Sequence, residues 1–123
     1  MERLAPLTGK ENVPPHKQAK FRYVKDKFSV AGLTALPSKK VLAPRVAECP
    51  LQMEAIVRGI HFIGEEVDMI AAVEVEILAV HAHQNIIYSP NHIDPQKWRP
   101  LIYNFRHYFG LGQEVGKSFR AET

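Results

Sequence analysis

Two long stretches of alternating side chains constrain the fold of this chain more than any other feature. In the first, Leu51, Met53, Ala55 and Val57 alternate with Gln52, Glu54, Ile56 and Arg58; in the second, Ala71, Val73, Val75, Ile77 and Ala79 alternate with Ala72, Glu74, Glu76, Leu78 and Val80. A period of two residues, with the acidic side chains on one face, indicates strands that bury the other face. We therefore predict β-strands over 51–62 and 67–80.

The residues between these stretches favour a hairpin. Gly64-Glu65-Glu66 is typical of a turn, and an antiparallel pair is then the simplest arrangement. A helix over 69–80 is an alternative, because Ala, Glu and Leu are good helix formers. Glu74 and Glu76 share one side of a strand but would lie about 200° apart around a helix. The strand interpretation is favoured for that reason.

The region before the hairpin predicts loops and one short helix. Residues 1–24 contain Pro6, Pro14 and Pro15 and should be extended or looped, since proline fixes φ and lacks an N–H donor. Asp26 and Gly32 are suited to cap the two ends of a short helix. Residues 41–46 predict a short extended segment, and the proline within it favours a sheet edge.

The region after the hairpin is rich in aromatic residues. Residues 86–88 predict a short strand, and Asp94 followed by Pro95 predicts a single helical turn. Residues 98–112 combine planar rings, two guanidinium groups, an imidazole and two glycines. Such a set can stack on an aromatic ligand and pair with its phosphate, or it can anchor the hydrophobic core.

Composition limits the class of protein. With 123 residues and a net charge of +3, the chain suits one globular domain, and no apolar run approaches the roughly 18 residues of a membrane span. Cys49 is the only cysteine, so no disulfide can form within the chain. We predict a cytoplasmic protein with no membrane partner.

Basic residues are concentrated in the first 45 positions, which favours a solvated, partly irregular surface. A phosphate or nucleic-acid partner is the alternative, but no nucleic-acid-binding motif accompanies the charge, and we predict no such partner. The basic residues of this region include Lys10, Lys17, Lys20, Arg22, Lys25, Lys27, Lys39, Lys40 and Arg45.

Two other features could carry chemistry. His81 and His83 share a strand face and, with His92 or His107, could make a three-histidine zinc site. A polar strand end is the simpler interpretation. Cys49 has no base nearby in the sequence that would form a thiolate, which favours a half-buried structural cysteine. We predict neither a metal site nor a catalytic residue.

Four segments, taken in order and spacing, resemble a known family. They are Asp26-Lys27-Phe28 with Ala31-Gly32-Leu33-Thr34 and Pro37-Ser38; residues 43–55; the acidic strand ending at Val80-His81-Ala82-His83; and Asp94 with Trp98-Arg99-Pro100-Leu101 and Tyr108-Phe109-Gly110-Leu111-Gly112. Together they are similar to the flavin reductase-like family, which has the FMN-binding split-barrel fold. The resemblance covers residues 20–115.

The resemblance implies a mainly β fold: a partial split β-barrel of antiparallel strands with one or two short helices. Residues 25–112 would be the C-terminal portion of the FMN-binding domain, residues 1–24 an extended N-terminal segment and residues 113–123 a polar tail. It further implies a homodimeric flavoprotein that transfers a hydride from NAD(P)H to flavin, the flavin supplying the chemistry. The residues that it places near FMN are Asn104, Arg106, His107 and Tyr108.

The family's N-terminal half, which supplies the first barrel strands and most contacts to FMN, has no counterpart in this sequence. The remaining strands should therefore have an open edge and exposed apolar faces. A truncated form, a short form completed by dimerisation and a remnant that does not bind flavin all stay open. The alternatives to a flavin reductase are a non-catalytic dimerising module and a small histidine-based metal protein. Lys25 and Lys27 could approach a phosphate.

Overall fold

A computed structural model describes residues 2–64 and 70–118 of the chain. Within these residues, the chain has one α-helix, two short 3-10 helices and ten strands. The strands are β1 Leu7–Thr8, β2 Arg22–Tyr23, β3 Ala35–Leu36, β4 Arg45–Val46, β5 Leu51–Ile63, β6 Ile70–Ala82, β7 Ile87–Ser89, β8 His92–Ile93, β9 Ile102–Asn104 and β10 His107–Phe109; α1 is Lys27–Ala31, and the 3-10 helices are Pro15–Lys17 and Gln84–Ile86.

The strands form five separate two-stranded sheets. The β1–β2 pair is parallel, and the β3–β4, β5–β6, β7–β8 and β9–β10 pairs are antiparallel. The predicted mainly β fold with antiparallel strands is therefore confirmed, and within the described residues the strands do not close a barrel. Over the same residues, no helix is long and apolar enough to cross a membrane.

The chain divides into two compact units, one ending at Ala82 and one beginning at His83. The first unit is dominated by the β5–β6 hairpin, whose strands begin and end close to the predicted positions. Gly64 has a φ of 97°, which favours glycine, as expected where the chain leaves β5 to turn. The predicted turn residues Glu65 and Glu66, and residues 67–69 of the predicted second strand, lie outside the described residues.

Two β-bulges determine which side chains share a face of this hairpin. Leu78 has no partner between the pairs Glu54–Ala79 and Ala55–Ile77, and Arg58 has none between Val57–Val75 and Gly59–Glu74. An extra residue reverses the alternation beyond it. The apolar face is thus formed by Leu51, Met53, Ala55, Val57, Ile60 and Phe62 opposite Ala82, Val80, Ile77, Val75, Val73 and Ala71.

The simple alternation of the second strand was therefore wrong beyond residue 77. It grouped Ala79 with the apolar side chains and Val80 with the acidic ones, and the bulge at Leu78 exchanges them. Because period-two reasoning assumes an uninterrupted strand, it cannot anticipate an inserted residue.

The predicted burial of the apolar face is also wrong within this chain. Met53, Val57, Ile60, Val73, Val75, Ile77 and Val80 are each between 50% and 57% exposed. Gln52 and Glu54, on the polar face, are buried instead. The exposed apolar face agrees with the separate expectation that a partial barrel leaves such a face uncovered.

Helix α1 follows the predicted capping pattern. The Asp26 carboxylate accepts a hydrogen bond of 3.0 Å from the Ser29 N–H, and Gly32 ends the helix with a φ of 67°. The left-handed conformation at Gly32 lets its N–H and the next one bond back to Phe28 and Ser29 carbonyls.

Other short elements differ from prediction. Residues 2–24 are largely irregular, but they include one 3-10 helix and strands β1 and β2. Within residues 41–46 only Arg45–Val46 is a strand. The predicted helical turn after Asp94 is a hydrogen-bonded turn in which the Asp94 carbonyl accepts from the Lys97 and Trp98 N–H groups. Residues 113–118 have no regular structure and are exposed, and 119–123 lie outside the described residues.

Candidate functional site

The first unit contains a buried carboxylate, Glu54, whose residue is 1% exposed. Its oxygens accept hydrogen bonds from the N–H groups of Lys39, at 3.0 Å to each oxygen, and Lys40, at 2.6 Å. His81 Nε2 lies 2.6 Å from Oε1, and Arg45 Nε lies 3.7 Å from the same oxygen. We call these five residues the Glu54 cluster.

The cluster strongly favours the charged form of Glu54. Burial removes water from the carboxyl and opposes ionisation, but the N–H groups of Lys39 and Lys40 and the contact with His81 outweigh that effect. Together they lower the pKa of Glu54 to about 2. The side chain is therefore a permanent anion at neutral pH, which makes it a structural acceptor.

The segment from the start of β3 to the end of β4, residues 35–46, covers Glu54 and is held by further polar contacts. We call it the β3–β4 segment. The Glu48 carboxylate accepts from the Thr34 N–H at 2.9 and 3.0 Å, and this backbone bond lowers the pKa of Glu48. Arg45 donates from Nη1 to Gln52 Oε1 at 3.0 Å and from Nη2 to the Pro37 carbonyl at 3.1 Å. The Arg45–Gln52 bond joins the segment to the start of β5, and the other bonds hold β3, β4 and their flanking residues together.

Beside the cluster lies a shallow groove of about 340 Å³. Arg45, Cys49, Leu51 and Met53 are among its lining residues. Cys49 is exposed, so the predicted half-buried position of this thiol is wrong. The turn at 47–48 that leads out of β4 places the cysteine at the surface.

The second unit contains all four residues that the resemblance placed near FMN. Asn104 and His107 are directly paired across the β9–β10 hairpin and share one face. Tyr108 pairs with Tyr103 on the opposite face, where the ring centroids lie 5.5 Å apart. Arg106 lies in the two-residue connection between the strands. The structure thus places the four within one hairpin but divides them between its two faces and its tip.

The aromatic side chains of this hairpin are largely exposed. Tyr103 is 64% exposed and Phe105 is 90% exposed. The His107 and Phe109 rings meet edge to face with centroids 6.4 Å apart. Exposure of this kind argues against the core-anchor interpretation of these residues and leaves the ligand-stacking interpretation open.

Two further predictions concern Lys25 and Lys27, which could approach a phosphate, and the histidines of the alternative zinc site. Lys27 donates from Nζ to the Val24 carbonyl at 2.7 Å and lies over the Tyr23 ring, so it is already engaged. Lys25 is exposed. Among the residues that the structure describes, no group of three or more His, Cys, Asp or Glu side chains could hold a metal ion, which gives the zinc alternative no support.

The Glu54 cluster is not predictable from the residue pattern. The alternation predicts Glu54 on a solvated strand face, and the sequence predicts His81 at a polar strand end, with a zinc site as the alternative. The contacts that bury Glu54 come from backbone N–H groups 14 and 15 residues earlier, which leave no side-chain signal. The Gln52–His81 pairing depends on the hairpin register, which the turn sequence alone does not determine.

The comparisons with known proteins bear on the whole fold. No protein-family model matches the chain. The chain is 52% identical over 124 residues to the uncharacterized protein YdfE of Bacillus subtilis (strain 168), a match that takes in 100% of this chain and 59% of YdfE. It therefore spans less than two thirds of the length of this curated relative.

Among solved structures, flavoredoxin of Desulfovibrio vulgaris (Miyazaki F) resembles the chain with a TM-score of 0.62 and 27% sequence identity. The likeness covers 86% of this chain and 57% of flavoredoxin. The chain thus has an open, mainly β fold related to that of a flavin protein. The predicted relation to flavin proteins is confirmed at that level, and membership of the flavin reductase-like family stays a prediction.

Proposed function

We propose that this chain is the C-terminal portion of an FMN-binding, flavin reductase-like oxidoreductase that transfers a hydride from NAD(P)H to flavin. The observation that carries the proposal is the fold shared with flavoredoxin over 86% of the chain. Residues 25–112 would form the FMN-binding portion, with residues 1–24 and 113–123 flanking it. A cytoplasmic homodimer is part of the same proposal.

The side chains of the β9–β10 hairpin fit an FMN ligand chemically. The Arg106 guanidinium can pair with a phosphate through two parallel N–H bonds. Asn104 and His107, on one face, offer donors and acceptors to polar ring atoms, and Tyr108 on the other offers an aromatic surface. Bound FMN would supply the hydride chemistry, and these residues would bind and orient it.

The exposed apolar face of the β5–β6 hairpin supports the homodimer. Seven of its aliphatic side chains are at least half exposed, and a contiguous surface of this kind is typical of an interface. The same observation favours a second candidate function, a dimerising module that has the fold without flavin affinity.

A flavin titration distinguishes these two functions. The purified chain is titrated into FMN and into riboflavin, and quenching of flavin fluorescence is followed alongside NAD(P)H-dependent flavin reduction. We expect saturable FMN binding. Arg106→Ala should weaken FMN binding by about tenfold and leave riboflavin, which lacks the phosphate, nearly unchanged.

Arg99→Ala is the matched control, because it removes an exposed arginine outside the β9–β10 hairpin. We expect it to bind both flavins as the wild type does. A dimer in sedimentation with no saturable flavin binding would refute the flavoprotein and support the dimerising module.

A further inference from the structure

The connection between β9 and β10 has an unusual backbone for its sequence. It consists of two residues, Phe105 and Arg106, with φ values of 46° and 67°. Two-residue hairpin connections with positive φ at both positions are normally formed by Asn-Gly, Asp-Gly or Gly-Gly. A side chain with a Cβ, and an aromatic one above all, is strained there.

Packing does not explain why a phenylalanine occupies position 105. Phe105 is 90% exposed, so its side chain adds almost nothing to a hydrophobic core. Among the described residues, the neighbouring Arg106 guanidinium has no ion-pair partner. A strained turn that presents a bare ring beside a free cation is a pattern expected of a ligand contact.

We infer that Phe105 is a binding residue that presents its ring as a stacking surface for the planar heteroaromatic ring of a nucleotide. Arg106 is adjacent and available for the phosphate of the same ligand. The inference rests on the proposed function in taking that ring to belong to FMN or to the nicotinamide nucleotide. It adds a residue outside the set Asn104, Arg106, His107 and Tyr108.

The strain makes the inference testable by a variant that changes stability and binding in opposite directions. Phe105→Asn suits the left-handed conformation, so its Tm should rise by about 4 °C. The same variant lacks the ring and should bind stacking ligands about tenfold more weakly. Phe105→Tyr keeps a ring and is the matched control, with wild-type affinity and wild-type Tm expected.

The probes are riboflavin, FMN, AMP and NADH, each titrated into the wild type and both variants. Loss of riboflavin and FMN affinity in Phe105→Asn assigns the stacked ring to the flavin, and loss confined to AMP and NADH assigns it to the nicotinamide nucleotide. Equal affinity of all three proteins for every probe overturns the inference and leaves the proposed function intact.

The remaining outcomes are also decisive. A wild type that binds NADH through Phe105 but ignores FMN refutes the flavoprotein and supports the stacking role. A wild type that binds none of the probes overturns both. A fall in the Tm of Phe105→Asn would show that the ring stabilises the fold, and it too would overturn the inference.

Discussion

At the open end of the β5–β6 hairpin, Gln52 and Glu54 are buried beneath the β3–β4 segment. Further along the same two strands, Val57, Val75 and other aliphatic side chains are half exposed or more. The two regions belong to the same pair of strands and have nearly the same alternation of polar and apolar side chains. They differ in whether another segment of the chain covers those side chains.

Burial in this hairpin therefore depends on neighbouring segments. Polar side chains are buried at this end because the β3–β4 segment supplies N–H groups that satisfy the Glu54 carboxylate, as a buried charge requires. The apolar face has no such cover within the described residues. Three predictions test this contrast, beginning with the largest expected effect.

The largest effect should come from Glu54→Gln. The amide keeps the size of the side chain, but it removes the charge and points an NH₂ group at donors on Lys39, Lys40 or His81. Breaking a buried, hydrogen-bonded charge is strongly destabilising, and we expect the Tm to fall by about 10 °C or more. Thermal unfolding followed by circular dichroism measures this.

Glu76→Gln is the matched control, since Glu76 is an exposed carboxylate of the same hairpin that pairs with Arg58. An exposed pair contributes little, so its Tm should stay near that of the wild type. The amide protons of Lys39 and Lys40 should exchange faster in Glu54→Gln alone. Equal Tm values for the two variants would show that the Glu54 cluster does not hold the β3–β4 segment.

The same contrast explains what could be predicted from the sequence. The two long strands, their antiparallel pairing and the capped helix α1 were predictable, because each depends on local period or local caps. The phase change at Leu78 and the burial of Glu54 were not, since both depend on contacts distant in the sequence. The resemblance pointed to Asn104, Arg106, His107 and Tyr108 as FMN neighbours, but neither it nor the residue pattern predicted the β9–β10 hairpin or their division between its faces.

The change of stability with pH should be a smaller effect, and its direction follows from the lowered pKa of Glu54. The pKa of Glu54 is lowered from 4.5 to about 2 in the folded chain, so the unfolded state binds more protons between those values. The stabilisation from the charged form is complete above about pH 5 and is lost as the pH falls towards 2.

The measurement compares the Tm of the wild type and Glu54→Gln from pH 7 down to pH 2. Subtracting the two curves removes the contributions of Glu48 and Asp94, whose pKa values are also lowered. We expect a constant difference down to about pH 5 and a shrinking one below it. A difference that stays constant to pH 2 would show that Glu54 is not held as an anion.

The smallest effect on the Tm should come from the exposed apolar face. Val75 is 50% exposed, so Val75→Lys should change the free energy of unfolding of the monomer by only about 0.5 kcal/mol. If this face forms the proposed homodimer, however, a buried lysine there should abolish association in sedimentation velocity.

Glu74→Lys is the control for Val75→Lys. It introduces a lysine at the neighbouring position, on the opposite face of the hairpin, and should leave association unchanged. Equal association of both variants would exclude the face as the dimer surface, and a Tm fall as large as that of Glu54→Gln would mean that the face is already covered within the chain.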